Sequence, residues 1–507
     1  MADKKKTGRC YLVGAGPGDL GLVTLRARQL IERAEVIVYD YLCNPEMLAW
    51  APEKAEIIYA GKKAGAHTLK QEEINALLVE KTRAGFEVVR LKGGDPFLFG
   101  RGGEEALALA DAKLAYEVVP GVTSAIAAPA YAGIPVTQRG ITSHVTFFTG
   151  HEDPEKTESA IDFAALAKLG GTQVMLMGVE RIDTIAQEMR GHGMPNDLPV
   201  ALIRWGTTGR QAIVRGTLGN IAERVRDENF EPPAVAVFGE VVSLGQRLDW
   251  QSARPLAGKR IVVTRTRKQA GALSERLRDL GADVIELPTI RIEPPTDLRA
   301  FAELVQDSHG YDWIIFTSPN GVSAFFEMFY KLYDDARDLG AARIAAIGPA
   351  TAQRVREFHL KVNLQPDEYV AEAVVREFKR EGDIENLRIL IARAEEARDL
   401  LPRELGAMGA IVDVAVAYRT VAETDDRTEA RRRLAEGGAD MITFTSSSTV
   451  ENFLALGLPW PAGMQVASIG PITSQTARDC GLTIAVEARQ HDVPGLVEAI
   501  RRFYGYA

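Results

Sequence analysis

The chain has 507 residues, of which 46% are hydrophobic and 25% charged, the composition of a globular protein rather than of a mainly disordered chain. At roughly 100–200 residues per domain, this length predicts about three to four domains. The 46 glycines and 24 prolines follow no period, which excludes collagen-like and low-complexity classes, and no run reaches the ~18 apolar residues of a membrane span. The formal net charge of −9 argues against nucleic acid as a partner.

The amino terminus and the cysteines predict a cytoplasmic protein. The chain begins Met-Ala-Asp-Lys-Lys-Lys and has no secretory signal pattern. Its three cysteines, Cys10, Cys43 and Cys480, form no CxxC pair. We therefore expect neither a disulfide framework nor a metal site, as is usual in a reducing compartment.

A glycine-rich turn follows the first predicted strand. Residues 10–40 are patterned as a strand, the turn GAGPGD (14–19), a helix and a second strand that ends at Asp40. The turn approaches the GxGxxG fingerprint of NAD(P)-binding oxidoreductases. However, Asp19 stands where that template has its last glycine, and Pro17 removes an amide donor. A tight turn without a ligand is the other interpretation.

Two further loops follow predicted strands in the first half. One strand ends at Lys92 and leads into GGDP (93–96), and a later strand leads into PGVTS (120–124). Three such loops predict a ligand crevice at the carboxyl edge of a parallel sheet. The alternative is that they are only turns, and that Glu104 and Glu105 open a solvated helix.

Long motifs in the first half carry a resemblance to a known family. They are GAGPGD (14–19), YAGKKAG (59–65), LKGGDPFLFGRGGEE (91–105), VVPGVTSAIAAPAYAGIPVTQRG (118–140), VMLMG (174–178) and RWGTT (204–208). Over residues 8–248 the chain resembles uroporphyrinogen-III C-methyltransferase, a tetrapyrrole methylase. The resemblance implies a methylase fold of two subdomains (about 1–135 and 136–248), S-adenosyl-L-methionine as the cofactor, uroporphyrinogen III as the substrate and a homodimer.

The same resemblance implies which residues form the site. Those that would line the S-adenosyl-L-methionine site are Pro17, Gly93, Gly94, Asp95, Leu98, Thr123, Ser124, Met177, Gly206 and Ala234. Asp40 would accept a proton and Lys62 would donate one. Asp40 could instead cap the end of a strand, and Lys62 could pair with substrate carboxylates or be solvated. The family often has Asp-Arg-Leu-Val where this chain has DYLC (40–43), which changes the side chains beside Asp40.

The implied chemistry needs no activated serine or cysteine. The sulfonium of S-adenosyl-L-methionine is a strong methyl donor, and an electron-rich pyrrole carbon is the nucleophile. The enzyme has to align donor and carbon and then accept the departing proton, for which a carboxylate such as Asp40 is suited.

An internal duplication marks the second half, which follows a predicted strand at Ala234–Val242 and a linker at 249–258. The first three repeated pairs are 128 residues apart and the fourth 122: KRIVVTR (259–265) with LRILIAR (387–393), LRDLGADV (277–284) with LGAMGAIV (405–412), FTSPNGVSAFF (316–326) with FTSSSTVENFL (444–454), and AAIGPATAQRV (345–355) with ASIGPITSQTA (467–477). Both halves alternate β-branched runs with amphipathic stretches, which predicts α/β architecture throughout.

Shorter motifs give the second half its own resemblance. They are VVTR (262–265), FTSPNG (316–321), AAIGPAT (345–351), VAYRT (416–420) and FTSSSTV (444–450). Residues 259–507 resemble uroporphyrinogen-III synthase. This implies two flavodoxin-like lobes with an interlobe cleft, lobe one at about 259–294 and 421–507 and lobe two at about 295–420. The implied reaction closes linear hydroxymethylbilane, inverts its last ring and releases water.

The repeated strand ends supply the predicted synthase site. Tyr418 matches the tyrosine suspected of assisting loss of the hydroxyl, although it could be a core-edge tyrosine with a bonded hydroxyl. The residues expected to bind substrate carboxylates are Arg265, Thr317, Ser318, Asn320, Gly348, Thr351, Arg393, Thr445, Ser446, Ser447, Gly470 and Thr473. Plain N-capping is the alternative for the hydroxyl residues. Arg431, Arg432 and Arg433 are interpreted as a solvated helix face.

The two resemblances together predict a bifunctional cytoplasmic enzyme. The second half would make uroporphyrinogen III, and residues 1–248 would methylate it twice to precorrin-2, towards sirohaem and cobalamin. One alternative keeps the methyltransferase but makes the second half an inactive ligand-binding or regulatory module. A more distant alternative is an oxidoreductase that binds NAD(P) through GAGPGD.

Overall fold

The computed structural model describes residues 8–61, 69–151, 161–265, 267–368 and 370–506, the side chains of 267–270 excepted. The chain forms two compact units, one of residues 1–287 with 425–507 and the other of residues 288–424. These described ranges contain four five-stranded sheets flanked by helices, which confirms the predicted α/β architecture. Within the described residues, no helix is both long enough and apolar enough to cross a membrane.

The first sheet is parallel throughout and has the order β3-β2-β4-β1-β5. Its strands are β1 (Arg9–Gly14), β2 (Val36–Tyr39), β3 (Glu56–Tyr59), β4 (Glu87–Lys92) and β5 (Ala115–Val119), with helices α1 (Leu25–Ile31), α2 (Gln71–Arg83), α3 (Gly102–Asp111) and α4 (Ser124–Tyr131). Alternate residues of β1 enter two separate cores, Tyr11 and Val13 on one face and Cys10 and Leu12 on the other. Burial of both faces explains the near-continuous apolar runs of these strands.

The second sheet is mixed and has the order β6-β7-β10-β8-β9. Its strands are β6 (Val145–Thr149), β7 (Thr172–Leu176), β8 (Pro199–Arg204), β9 (Ala212–Thr217) and β10 (Ala234–Phe238), with helices α5 (Phe163–Leu169), α6 (Ile182–Gly191), α7 (Ile221–Asp227) and α8 (Gly245–Leu248). The strand predicted over 234–242 ends early because Gly239 takes a φ of 137°, after which residues 240–244 form a 3-10 helix. Helix α4 packs on this sheet through Ala125 and Ala128.

The second half contributes the remaining two sheets. Its strands are β11 (Arg260–Val263), β12 (Asp283–Glu286), β13 (Ile290–Glu293), β14 (Trp313–Phe316), β15 (Arg343–Ala346), β16 (Arg388–Ala394), β17 (Ile411–Ala422), β18 (Met441–Phe444), β19 (Gln465–Ser468) and β20 (Val486–Glu487). Its helices are α9 (Arg267–Asp279), α10 (Leu298–Gln306), α11 (Pro319–Leu332), α12 (Pro349–Glu357), α13 (Ala371–Glu381), α14 (Leu400–Ala407), α15 (Ala430–Gly437), α16 (Ser447–Ala455), α17 (Pro471–Asp479) and α18 (Val493–Phe503).

The duplication seen in the sequence recurs in the topology of these two sheets. The third sheet has the order β12-β11-β18-β19-β20, with every pairing parallel, which is the flavodoxin-like order 2-1-3-4-5. The fourth has the order β13-β17-β16-β14-β15, with β13 antiparallel to β17. The strands β17-β16-β14-β15 have the same spatial order as β12-β11-β18-β19, and each contains the repeat of its counterpart's sequence. The two sheets therefore share one arrangement, although the corresponding strands follow one another in a different order along the chain.

Candidate functional site

The three glycine loops of the first half meet at one edge of the first sheet. Strands β4, β1 and β5 are neighbours and parallel, so their carboxyl ends lie together. Gly94 donates its N–H to the Gly16 carbonyl at 2.7 Å and accepts from the Gly16 N–H at 3.2 Å. A Cβ added to Gly121 would lie 2.2 Å from the Gly94 carbonyl oxygen. The loops are therefore packed backbone against backbone.

Replacing Gly121 by alanine should destabilise this loop junction by about 1–3 kcal/mol, the usual cost of overpacking. Chemical denaturation monitored by circular dichroism measures the change. Gly103→Ala is the matched control, because nothing lies within 4 Å of a Cβ at that helical position and Gly→Ala in a helix gains about 0.5–1 kcal/mol. Equal stability of the two variants would contradict the close packing of the loops.

Asp95 links two of the loops through its carboxylate. Oδ1 accepts the backbone N–H groups of Phe97 at 2.8 Å and Leu98 at 3.1 Å, and Oδ2 accepts the N–H of Gly121 at 3.0 Å. The side chain of Leu98 packs against the core of the second sheet. Asp95 thus shapes the loop that also fixes Leu98.

The second sheet presents the other predicted cofactor residues at one of its edges. Strand β10 runs antiparallel to β7 and β8, so Ala234 at its start lies beside the ends of both partners. Met177 follows β7 with a φ of 56° and is 51% exposed. Gly206 lies against α4, because an added Cβ would be 2.4 Å from the Ala128 Cβ.

Direct contacts join the first glycine loop to the loop of Gly206. The N–H of Asp19 donates to Thr207 Oγ1 at 3.2 Å, and a Cβ on Gly18 would lie 2.7 Å from Thr208 Cγ2. Tyr131 of α4 donates its hydroxyl to Asp19 at 2.7 Å. Asp19, which replaces the last glycine of a dinucleotide fingerprint, is thus a structural bridge between the two sheets.

Asp40 lies just after β2, beside the Gly93 loop. Its Oδ1 accepts the Leu42 N–H at 3.2 Å and lies 3.4 Å from Cys43 Sγ, and a Cβ on Gly93 would be 2.5 Å from the Leu42 Cβ. Burial and the charge of Asp40 raise the pKa of Cys43 well above its usual value, which keeps the thiol protonated as a donor. The Asp40 side chain is 24% exposed. Lys62, the predicted proton donor, lies outside the described residues.

A buried charge network connects Asp40 to the core. Arg90 places Nη2 3.3 Å from Asp40 Oδ2 and donates from Nε to Glu105 at 3.1 Å, and Lys92 donates to Glu105 at 2.8 Å. Burial and the neighbouring charge of Arg90 lower the pKa of Lys92. Glu105 is fully buried, so its interpretation as part of a solvated helix start is wrong: Arg90 and Lys92 compensate its charge.

Asp40 and Pro17 line a pocket of about 330 Å³. The second half forms part of the pocket wall. Its Arg433 donates a hydrogen bond to Glu46 of the first half at 2.8 Å. The Arg433 side chain is only 16% exposed. The interpretation of residues 431–433 as a solvated face is therefore wrong for Arg433, which is desolvated by packing against the first half.

The lobe of β14–β17 gathers its predicted residues at one sheet edge. Tyr418, 8% exposed, lies opposite Ala394 in the β16–β17 register, and its hydroxyl is 2.9 Å from Ser318 Oγ. Ser318 also caps α11 by accepting the Gly321 N–H at 3.1 Å. Both interpretations of this serine, a cap and a site residue, are compatible with its position.

The other predicted residues of this lobe are held by local bonds. Thr317 donates its hydroxyl to the Ala392 carbonyl at 3.2 Å. Arg393 donates to Asp399 at 2.7 Å and to the Arg398 carbonyl at 3.0 Å. Gly348 is the N-cap of α12, Thr351 is buried in its first turn, and Asn320 is the second residue of α11.

The lobe of β11, β12 and β18–β20 repeats this arrangement. Arg265 follows β11, and burial lowers its pKa, while its Nε atom has no hydrogen-bond partner among the described residues. Thr445 follows β18. Ser446 caps α16 by accepting the Thr449 N–H at 3.3 Å, and Ser447 Oγ lies 2.6 Å from Thr476 Oγ1.

Two further predicted residues lie at the start of α17. Gly470 is its N-cap, and Thr473 is buried in its first turn. Across both lobes the serines at positions 318 and 446 do act as caps, as the alternative interpretation expected. In the part of the chain that the structure describes, no group of three or more His, Cys, Asp or Glu side chains is placed to hold a metal ion.

Comparisons with known proteins match both halves of the chain. Residues 9–222 match the family model of tetrapyrrole (corrin/porphyrin) methylases, and residues 271–498 match that of uroporphyrinogen-III synthase HemD. Porphyrin biosynthesis protein HemD of Ruminiclostridium josui is 36% identical over 496 residues, 97% of this chain and 98% of its own length. The chain belongs to this family of fused porphyrin-biosynthesis enzymes. It therefore joins a uroporphyrinogen-III C-methyltransferase sequence to a uroporphyrinogen-III synthase sequence.

Two further relatives support the methyltransferase half of this fused enzyme. Uroporphyrinogen-III C-methyltransferase of Bacillus subtilis is 41% identical over 362 residues, 71% of this chain and 74% of its own length. The S-adenosyl-L-methionine-dependent uroporphyrinogen III methyltransferase of Methanosarcina barkeri is 56% identical over 237 residues, 47% of this chain and 93% of its own length. These matches give no support to the oxidoreductase alternative.

Proposed function

We propose that this fused enzyme catalyses two successive steps of tetrapyrrole biosynthesis. Residues 259–507 cyclise hydroxymethylbilane to uroporphyrinogen III, and residues 1–248 methylate that product twice with S-adenosyl-L-methionine to give precorrin-2. We take the synthase lobes to be residues 259–287 with 425–507, and 288–424, because β13 pairs with β17; the boundaries expected at 294 and 421 therefore each move by a few residues. The observation that carries the proposal is the whole-chain family match, because the product of one half is the substrate of the other.

The geometry of the first half suits a cofactor of this kind. Glycine backbone from three loops meets beside the N-terminus of α4, and such exposed polar backbone suits the amino-acid end of the cofactor. Following the family resemblance, we assign the exposed Met177 side chain to the apolar part of the same site. When bound, S-adenosyl-L-methionine supplies an activated methyl group. Asp95 then keeps the Gly93–Asp95 and Gly121 loops in register, and Leu98 closes the side facing the second sheet.

Asp40 is the group we assign to proton removal. After methyl transfer the macrocycle must lose a proton, and a mostly shielded carboxylate on the pocket wall can accept it. Arg90 fixes the direction of the carboxylate, and the backbone N–H of Leu42 holds its other oxygen. Lys62 is the proposed partner that returns a proton.

Equilibrium binding of labelled S-adenosyl-L-methionine and of NADP to the full-length protein tests the cofactor assignment. We expect saturable binding of S-adenosyl-L-methionine and none of NADP at matched concentrations. Binding of NADP alone would contradict the methyltransferase assignment and favour an oxidoreductase.

In the synthase half, we assign Tyr418 to assisting departure of the substrate hydroxyl. Its hydroxyl is already engaged with Ser318 at 2.9 Å, and this contact can orient the proton towards a substrate. The predicted hydroxyl and glycine residues at the helix starts would bind substrate carboxylates.

We further propose that the enzyme works in the cytoplasm as a homodimer joined through its methyltransferase half. Family resemblance supports the dimer, and the three cysteines, all free, suit a reducing compartment. Sedimentation equilibrium of the full-length protein should give twice the chain mass of 55.3 kDa. A single-chain mass at micromolar concentration would contradict the dimer.

A further inference from the structure

The pocket beside Asp40 has walls from both halves of the enzyme. The methyltransferase half contributes Asp40 and Arg210, and the synthase half contributes Arg260, Arg432 and Arg433. The volume of about 330 Å³ admits part of a macrocycle with its side arms rather than a whole tetrapyrrole. All of these residues belong to one compact unit of the chain.

Several contacts fix the synthase wall next to the end of β2. Tyr39, the residue before Asp40, donates its hydroxyl to Glu429 at 3.2 Å, and Arg427 reaches the Pro52 carbonyl at 3.4 Å. A Cβ on Gly209 would lie 2.1 Å from the Asp283 backbone nitrogen. The wall is thus packed closely against the methyltransferase half.

Arginines from both halves cluster where this wall meets the methyltransferase half. Three guanidinium groups share the carboxylate of Asp283: Arg260 at 2.7 Å, Arg210 at 3.5 Å and Arg433 at 3.8 Å. Burial lowers the pKa of Arg210. The nearby carboxylate of Asp283 opposes this effect, and the charges of Arg260 and Arg433 add to it. A further anion close to Arg210 would therefore be stabilised.

The remaining arginines extend the positive charge around the pocket. Arg278 pairs with Glu46, which also holds Arg433, and with Glu286 at 3.0 Å. The guanidinium of Arg254 donates to the Asp279 carbonyl and to Gln251, which are uncharged acceptors. Among the described residues, seven arginines and six carboxylates line the pocket, which leaves one positive charge in excess in a chain of net charge −9.

We propose that this pocket is a composite substrate site, in which arginines of the synthase half bind the carboxylate side arms of the tetrapyrrole that the methyltransferase half modifies. The proposal rests on the proposed function, which makes the substrate a polycarboxylate. Guanidinium groups recognise carboxylates with paired hydrogen bonds, and the arginines of this pocket could offer such bonds to the side arms of an anionic substrate. The wall would hold the product of one half beside the proton acceptor of the other.

Arg432→Glu in the full-length enzyme tests the role of the synthase wall. Arg432 is 33% exposed and pairs only within its own helix, with Glu429 and with Glu436 at 3.1 Å, among the contacts of the described residues. Arg502→Glu is the matched control, because Arg502 forms the same type of i,i+4 pair with Glu498 at 2.8 Å and does not line the pocket. Arg432→Gln removes the charge without reversing it, in case the reversal unfolds α15.

The direct readout is binding of uroporphyrin III, the stable oxidised polycarboxylate macrocycle, measured by fluorescence. We expect Arg432→Glu to raise its Kd at least about tenfold, since the variant loses a charge-assisted hydrogen bond and places a negative charge beside the anionic side arms. Arg432→Gln should be intermediate and Arg502→Glu unchanged. The wild-type Kd should rise with salt more steeply than that of Arg432→Gln.

Turnover separates this proposal from the proposed function. KM for uroporphyrinogen III should rise in Arg432→Glu while kcat and the Kd of S-adenosyl-L-methionine stay within about twofold of wild type. If the wild type methylates uroporphyrinogen III and the Arg432 variants bind uroporphyrin III as it does, the composite site is overturned and the methyltransferase stands. If the wild type binds uroporphyrin III with an Arg432-dependent Kd but methylates nothing, the site stands and the proposed function fails.

Discussion

Replacing Asp40 by asparagine should lower the rate of C-methylation by about 10²–10⁴-fold, the range that general acid–base groups contribute. The amide keeps the shape of the carboxylate and can still accept the Leu42 N–H, but it cannot take up a proton at neutral pH. The Kd of S-adenosyl-L-methionine should stay within about twofold, because the three glycine loops remain intact. Single-turnover transfer of labelled methyl groups to uroporphyrinogen III measures the rate.

Asp111→Asn is the control for this experiment. Asp111 is an exposed carboxylate at the end of α3, in the same subdomain. We expect it to leave the rate and the Kd unchanged. A wild-type rate in Asp40→Asn would mean that another base accepts the proton and that Asp40 only closes the turn after β2.

Tyr418→Phe should lower the rate of enzymatic ring closure by about 10²–10⁴-fold if its hydroxyl donates the proton that the leaving hydroxyl needs. The ring belongs to a buried aromatic and aliphatic core, and phenylalanine preserves that packing. The stability cost of losing the bond to Ser318 is about 0.5–1.5 kcal/mol. The assay is the ratio of type III to type I uroporphyrinogen formed from hydroxymethylbilane, because spontaneous closure gives type I.

Tyr311→Phe separates catalysis from stability in the same lobe. Tyr311 lies in the same core and donates its hydroxyl to Asp413 at 2.8 Å, near the start of β14 and away from the predicted site. It should lose at least as much stability as Tyr418→Phe, because its bond is to a carboxylate, and it should keep the type III product. If both variants keep that product, Tyr418 is only the core-edge tyrosine of the alternative interpretation.

The loop geometry was predictable from the sequence because it follows from strand order. Parallel strands place their carboxyl ends at one edge, so the segments after Lys92 and Val119 were expected at the same edge as the GAGPGD turn. The structure adds that β1 lies between β4 and β5, which brings the three loops together. The duplication was predictable because similar sequences form strands in the same spatial order, even though β17 and β16 are longer than their counterparts β12 and β11.

Long-range charge pairing could not be predicted in this way. Arg433 and Glu46 are 387 residues apart, and the hydrogen bond between them depends on how two separate folds pack. From the sequence, Glu105 is a carboxylate in the first turn of a helix. Only the structure shows that it is buried and that Arg90 and Lys92 compensate its negative charge. Local sequence patterns indicate which face of a helix or strand is apolar. They do not indicate which distant charged residue will form an ion pair with a residue of that element.

The most direct test of the account supplies the full-length enzyme with hydroxymethylbilane and S-adenosyl-L-methionine under anaerobic conditions and identifies the product by mass and isomer type. The account predicts a twice-methylated type III product, precorrin-2, with unmethylated uroporphyrinogen III appearing first. Formation of only type I uroporphyrinogen, or of a type III product that never gains a methyl group, would contradict a chain that carries out both steps.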